Sequence, residues 1–181
     1  MRPASLSKLA TQNSFRNAGE MTPPLWMVCA PSGAGKTTLC RAIAAQARAA
    51  GWDVAGLLSP AAFEGRSKIG ILAEDLRTGE TRPLARVTPH PDFDLQIGNW
   101  YFNRASLAWG NRVFEASLPC DLLIVDELGP LELLRGEGWL AAITALRQGS
   151  YRLGLVVIRP ELQATAYLLL PIRGVITPRL K

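Results

Sequence analysis

A short apolar run, followed at once by a glycine-rich turn, a lysine and two threonines, constrains this chain more than any other feature. Leu25 to Cys29 (LWMVC) reads as a buried strand, and Ala30 to Thr38 (APSGAGKTT) as a tight turn. Lys36 to Ala50 reads as a helix with Leu39, Ile43 and Ala47 on one face and Gly51 ending it. Its alanine content favours that helix. Val54 to Leu58 reads as a second strand, so strand, helix and strand follow at the spacing of a βαβ unit.

The turn carries chemistry of its own. Ala30, Pro31, Ser32, Gly33, Ala34, Gly35, Lys36 and Thr37 match the phosphate-loop pattern G-x-x-x-x-G-K-[ST], except that Ala30 stands where the first glycine is usual. Gly33 and Gly35 let backbone N–H groups turn inward around phosphate oxygens. The helix that starts near Lys36 adds its positive end. In this arrangement Lys36 reaches the β- and γ-phosphates, Thr37 offers its hydroxyl to Mg2+, and Thr38 touches the α-phosphate.

A second signal lies downstream. Asp121 to Asp126 (DLLIVD) is a continuous apolar run ending in acid, as in a central parallel strand. With a phosphate loop upstream, Asp126 is the expected Mg2+ ligand and Glu127 the residue that orients or deprotonates the attacking water. Asp126 to Gly129 also fits the D-x-x-G pattern of GTPases, but no N-K-x-D run is present to read guanine.

Further elements follow from periodicity. Ser67 to Arg86 reads as an antiparallel hairpin turning at Thr78-Gly79, and residues 87–97 as a loop. Asn103 is the expected N-cap of a helix running to Ala116. Gly138 to Gln148 reads as a helix, Leu153 to Ile158 as a strand, 160–168 as a short helix and Gly174 to Thr177 as a last strand. This alternation predicts a three-layer α/β domain over residues 25–181, a mostly parallel sheet with helices on both faces and an added antiparallel hairpin. Residues 1–24 are polar, basic and without an apolar core, which predicts a disordered extension rather than a secretory signal.

Composition narrows the function classes. The chain has 181 residues, 48% hydrophobic, with a net charge of +5 and no Lys/Arg block, so no dedicated nucleic-acid surface is expected. No apolar run is long enough to span a membrane. Three cysteines without CxxC or metal-ligand spacing read as reduced thiols of a cytoplasmic protein.

The runs DLLIVDELGPLEL (Asp121 to Leu133), GAGKTTL, GLLSP, KIGI, DLRTGE and PLAR together resemble the thermostable nucleoside-triphosphatase family, which includes the cancer-related nucleoside triphosphatase of animals. The resemblance runs in order from residue 25 to residue 162. It implies a RecA-like P-loop fold and Mg2+-dependent hydrolysis of ATP, GTP and other nucleoside triphosphates with broad base tolerance. It also implies a supporting role for Glu132. Relatives carry a glycine-aromatic segment where this chain has Gly98 to Phe102; Tyr101 is the expected nucleotide contact there, and Trp100 and Phe102 the expected packing residues.

Arg159 follows a predicted strand and is a candidate arginine finger, weighed against a surface salt bridge; Arg66 and Arg135 are weaker candidates. His90, the single histidine, reads as a solvated loop residue. Two other functions share the loop: a nucleoside or nucleotide kinase, and a GTP-binding adaptor similar to the small P-loop protein of molybdopterin guanine dinucleotide synthesis.

Overall fold

A computed structural model describes residues 23–178; the extension expected over residues 1–24 lies outside the described residues except for its last two. The chain opens with β1 (Leu25–Cys29), α1 (Lys36–Ala49) and β2 (Val54–Leu58). It then makes β3 (Ala61–Glu64), β4 (Ser67–Asp75), β5 (Thr81–Arg86), β6 (Leu95–Ile97) and β7 (Trp100–Phe102). The second half alternates α2 (Arg104–Glu115), β8 (Cys120–Val125), α3 (Leu140–Gln148), β9 (Tyr151–Ile158), α4 (Gln163–Leu169) and β10 (Ile172–Ile176).

All ten strands join one sheet in the order β10-β1-β9-β8-β2-β4-β5-β7-β6, with β3 paired to β4. From β10 to β2 every pairing is parallel. From β2 outward every pairing is antiparallel. The decisive detail is that β9 lies between β1 and β8, so the end of β9 projects between the phosphate loop and the acid pair.

The parallel half is buried on both faces, which explains its unbroken apolar runs. Side chains alternate with the period of the pleat. Val28, Leu122, Ile124, Leu155 and Val157 meet Cys40, Ile43, Ala44 and Ala47 of α1 on one face. Met27, Leu123, Val125, Val156 and Ile158 meet Phe114, Leu146 and Ala166 of the other helices, and Trp139 just before α3, on the opposite face. Each such Leu, Ile or Val contributes about 1.5–3 kcal/mol. Gly56, with φ of 101°, backs directly onto the Ile124 carbonyl, so a Cβ there would collide with the neighbouring strand.

Local signals set the ends of the helices. Asn103 caps α2 as expected, its Oδ1 accepting from Ser106 N at 2.8 Å. The helix expected from Gly138 starts at Leu140, because Glu132 Oε1 takes the Trp139 N–H at 3.0 Å. A π-helical turn over Leu131–Arg135, not expected from sequence, precedes it. The last strand begins at Ile172, two residues before Gly174.

The antiparallel region is larger than the single hairpin predicted. The β4–β5 hairpin turns over Thr78-Gly79 as expected, but β3, β6 and β7 extend it. Residues 95–97 of the predicted loop are strand β6, folded back on β7. Strands of three residues are too short to carry a periodic signal. Arg77 ties this region to the base of the parallel half: it donates to Asp53 Oδ2 at 2.6 Å and to the carbonyls of Ala116 at 2.7 Å and Ser117 at 3.1 Å. All three cysteines are free thiols. No helix among the described residues is long and apolar enough to cross a membrane.

Candidate active site

The phosphate loop leaves β1 at Ala30, which is buried, and enters α1 at Lys36. Gly33 and Gly35 have φ of 78° and 80°. An added Cβ would meet nothing within 4 Å at either, so the backbone conformation, rather than space, calls for glycine. Gly35 is the N-cap of α1 and offers no side-chain cap, which leaves the first N–H groups of the helix open to an anion. Pro31, Ser32, Gly33 and Thr38 face outward, whereas Ala34 is buried. Lys36 is 6% exposed. Its Nζ donates to Ala30 O at 2.8 Å and Pro31 O at 2.9 Å, so the ammonium is held inside the loop it would use to clasp a phosphate.

The acid pair follows β8. Asp126 is 2% exposed, and its Oδ2 accepts from Ser59 N at 3.1 Å. The Ser59 hydroxyl donates to the Asp126 carbonyl, and the Thr37 side chain hydrogen-bonds the carboxylate. Burial pushes the Asp126 carboxyl up from its ordinary range; the bonds from Thr37 and Ser59 and the charges of Lys36 and Arg41 oppose that. The Asp126–Glu127 peptide is cis.

Glu127 sits between two cations. Its Oε1 lies 2.8 Å from Arg159 Nε and its Oε2 3.8 Å from Lys36 Nζ. The Arg159 N–H is not aimed at the oxygen, so the contact is ionic rather than an aligned hydrogen bond. Arg159 directly follows β9, and the position of β9 between β1 and β8 delivers it there. Arg66 and Arg135 are exposed and make no such pair. Burial pushes the Glu127 carboxyl up, and the Arg159 and Lys36 charges hold it back. A carboxylate raised by burial and held beside a phosphate loop has the chemistry of a proton acceptor.

Glu132 is buried and turned away from the loop: Oε2 accepts from Gly129 N at 2.9 Å and Oε1 from Trp139 N at 3.0 Å. It pins the segment that follows the acid pair. The Thr37 hydroxyl donates to the Asp126 carboxylate, and the contact sets two hard oxygens side by side, the kind of ligand a magnesium ion takes.

No phosphate-loop residue lines the cavity that holds Tyr101. Tyr101 lines a separate open cavity of about 460 Å³ with Pro89, His90, Phe93, Asp94 and Gln96. His90 is exposed and packs edge-on against Phe93. Trp100, expected as a packing residue, is only partly buried, and Lys68 Nζ stands 5.0 Å from its ring centroid. Lys68 and Ser59 were not singled out by sequence reasoning. The only signals were the KIGI run and the Ser59-Pro60 turn, and neither betrays which side chain faces the site.

A family model described as NTPase matches residues 26–167. The nucleoside-triphosphatase THEP1 of Ignicoccus hospitalis is 33% identical over 106 residues, covering 59% of this chain and 59% of that protein. The nucleoside-triphosphatase THEP1 of Thermococcus kodakarensis is 30% identical over 114 residues, covering 61% and 63%. The match thus spans less than two thirds of these relatives' length. The solution structure of a human cancer-related nucleoside triphosphatase superposes with a TM-score of 0.61 at 21% identity, over 84% of this chain and 87% of that one. THEP1 from Aquifex aeolicus superposes at 0.53 and 16% identity, over 86% and 89%. These two structures share the α/β fold.

Proposed function

The chain belongs to the NTPase family, and from that premise we propose that it hydrolyses nucleoside triphosphates, ATP and GTP among them, to the diphosphate and phosphate. The observation that carries this is Glu127, a carboxylate next to Asp126 that is 29% exposed and held 2.8 Å from Arg159 and 3.8 Å from Lys36. The loop amides of residues 30–38 and Lys36 bind the phosphates. Glu127 takes the proton of a water whose oxygen bonds to the γ-phosphorus as the bond to the diphosphate breaks. Arg159, already at the site, moves to the charge that develops on the transferring phosphoryl.

The donor set fits Mg2+. Asp126 is almost wholly buried, and among the described residues no cation forms an ion pair with it. Thr37 and Asp126 would hold the ion, which when bound neutralises phosphate charge. The clasp grips phosphates rather than a base, which supports broad base tolerance. We assign the activity to one domain, residues 25–181, with residues 1–24 as an extension. Free thiols fit the cytoplasm.

Phosphate release from Mg-ATP and Mg-GTP tests this, with Lys36→Ala and Glu127→Gln alongside. Turnover lost in both variants, with nucleotide still bound by Glu127→Gln, supports the proposal. Tight binding without release by the parent would sink it in favour of a kinase or a GTP-binding adaptor.

A further inference from the structure

We propose that Lys68 is a second phosphate-binding lysine, brought to the γ-phosphate end of the site by the β3–β4 hairpin and parked on the Trp100 ring until the nucleotide arrives. The proposal rests on the hydrolase reading and adds a residue to that site.

The register places Lys68 there. Ser59, which holds Asp126 through its N–H and hydroxyl, is the residue that follows β2. Two residues later the chain becomes β3, whose Phe63 pairs with Lys68 of β4. Four residues of extended chain therefore separate the clamp on Asp126 from the partner of Lys68, a span of about 13 Å at most. A lysine side chain covers roughly half of that. β4 runs antiparallel to β2, so its first residues lie at the sheet end where the parallel strands finish, which is the end that carries the phosphate loop and acid pair. β7 runs antiparallel to β5, and its first residue, Trp100, is at that end too. Lys68 Nζ lies 5.0 Å from the Trp100 centroid.

The charges agree with the placement. The Lys68 ammonium is held below its ordinary range first by desolvation, then opposed or reinforced by Glu127, Lys36, Arg159 and Asp126. All four are residues of the active site, and Glu127 is foremost among them. Among the described residues Lys68 makes no ion pair of its own. A lysine without a carboxylate partner, resting on an aromatic face beside a phosphate site, gains by exchanging a cation–π contact for a charge-assisted bond to phosphate. Glu127 must lie beside the γ-phosphate to activate water. A cation brought in by the hairpin that continues past the Ser59–Asp126 contact reaches the acid-pair side of the site, and so meets the γ-phosphate rather than the α or β.

The test is the affinity of Lys68→Ala and Lys68→Arg for Mg-ATP and Mg-ADP, with the parent and Lys36→Ala as references. Lys68→Ala is expected to weaken Mg-ATP binding about tenfold and Mg-ADP less than twofold, with most of the loss recovered in Lys68→Arg. Lys68 is exposed, so the variants should fold, and an unchanged melting midpoint checks this. Equal loss for both nucleotides, or none for either, would overturn the proposal while leaving the hydrolase reading intact. A parent that binds neither nucleotide would overturn both.

Discussion

The two halves of the sheet do different work. In the parallel half, residues such as Leu122, Leu123, Ile124, Val156 and Val157 are fully buried, and the buried charged groups Lys36, Asp126 and Glu132 all lie beyond the strands' C-terminal ends. In the antiparallel half, Phe63 is 62% exposed and Ile69 40%, and the Arg82–Glu80 ion pair lies at the surface. A structure closed on both faces can hold Asp126 and Lys36 out of water, with Glu127 at a fixed separation beside them. The antiparallel half buries one carboxylate, Asp75, and otherwise carries exposed side chains such as Lys68, which are free to change partners. Chemistry should therefore be brittle in the first half and adjustable in the second.

Glu127→Gln is the largest expected effect. It keeps the shape of the side chain and removes the base, and turnover should fall about 10²–10⁴-fold with nucleotide binding retained. Single-turnover phosphate release together with equilibrium binding checks both parts. Loss of binding equal to the loss of turnover would make Glu127 a ligand holder rather than a base.

Leu123→Ala comes next. Leu123 is fully buried in the parallel half, and its truncation should cost about 2–5 kcal/mol of stability, measured by denaturant unfolding. A cost under about 1 kcal/mol would mean that this half relaxes around a cavity and is not the rigid part.

Arg159→Met should lower turnover about tenfold, the scale of one charge-assisted contact. Its pH dependence is more telling. Glu127 must be ionised to accept a proton, so activity is present above its pKa and fades as the pH falls through it. Burial already raises that pKa, and the Arg159 charge lowers it. Without Arg159 the carboxyl rises further, and the acid limb of the rate profile should move to higher pH. An unmoved limb would separate Arg159 from Glu127 in the working enzyme.

Sequence reasoning reached the parallel half nearly whole. Leu25–Cys29, Val54–Leu58 and the run ending at Asp126 are apolar without interruption because both faces are covered, and the phosphate loop needs its glycines and lysine in fixed positions. Arg159 was legible because a charge at the end of a parallel strand faces the ligand crevice. The antiparallel half was legible only where a turn residue marked it, as at Thr78-Gly79. β6 and β7 are short and half-exposed, so packing imposes no pattern on them. Tyr101 and Trp100 are neighbours on one strand, and which of them points toward the site depends on the register, which their types do not reveal. Glu132 was tied to the site only by resemblance, because its partners are the backbone N–H groups of Gly129 and Trp139, and those leave no trace in residue identity.

Ile69→Ala is the smallest expected effect and the counterpart to Leu123→Ala. Ile69 is 40% exposed on β4, next to Lys68. Its truncation removes apolar surface that is already wet, so the stability cost should stay near 0.5 kcal/mol, about the ordinary surface range. Turnover should change little, since the backbone pairing of β4 to β3 and β5 does not depend on that side chain. Denaturant midpoints of the two variants, measured side by side, set the contrast on one scale. A cost for Ile69→Ala as large as that for Leu123→Ala would mean that the antiparallel half is locked to the core as firmly as the parallel half, and a strand locked in that way would leave Lys68 no freedom to exchange the Trp100 ring for a phosphate.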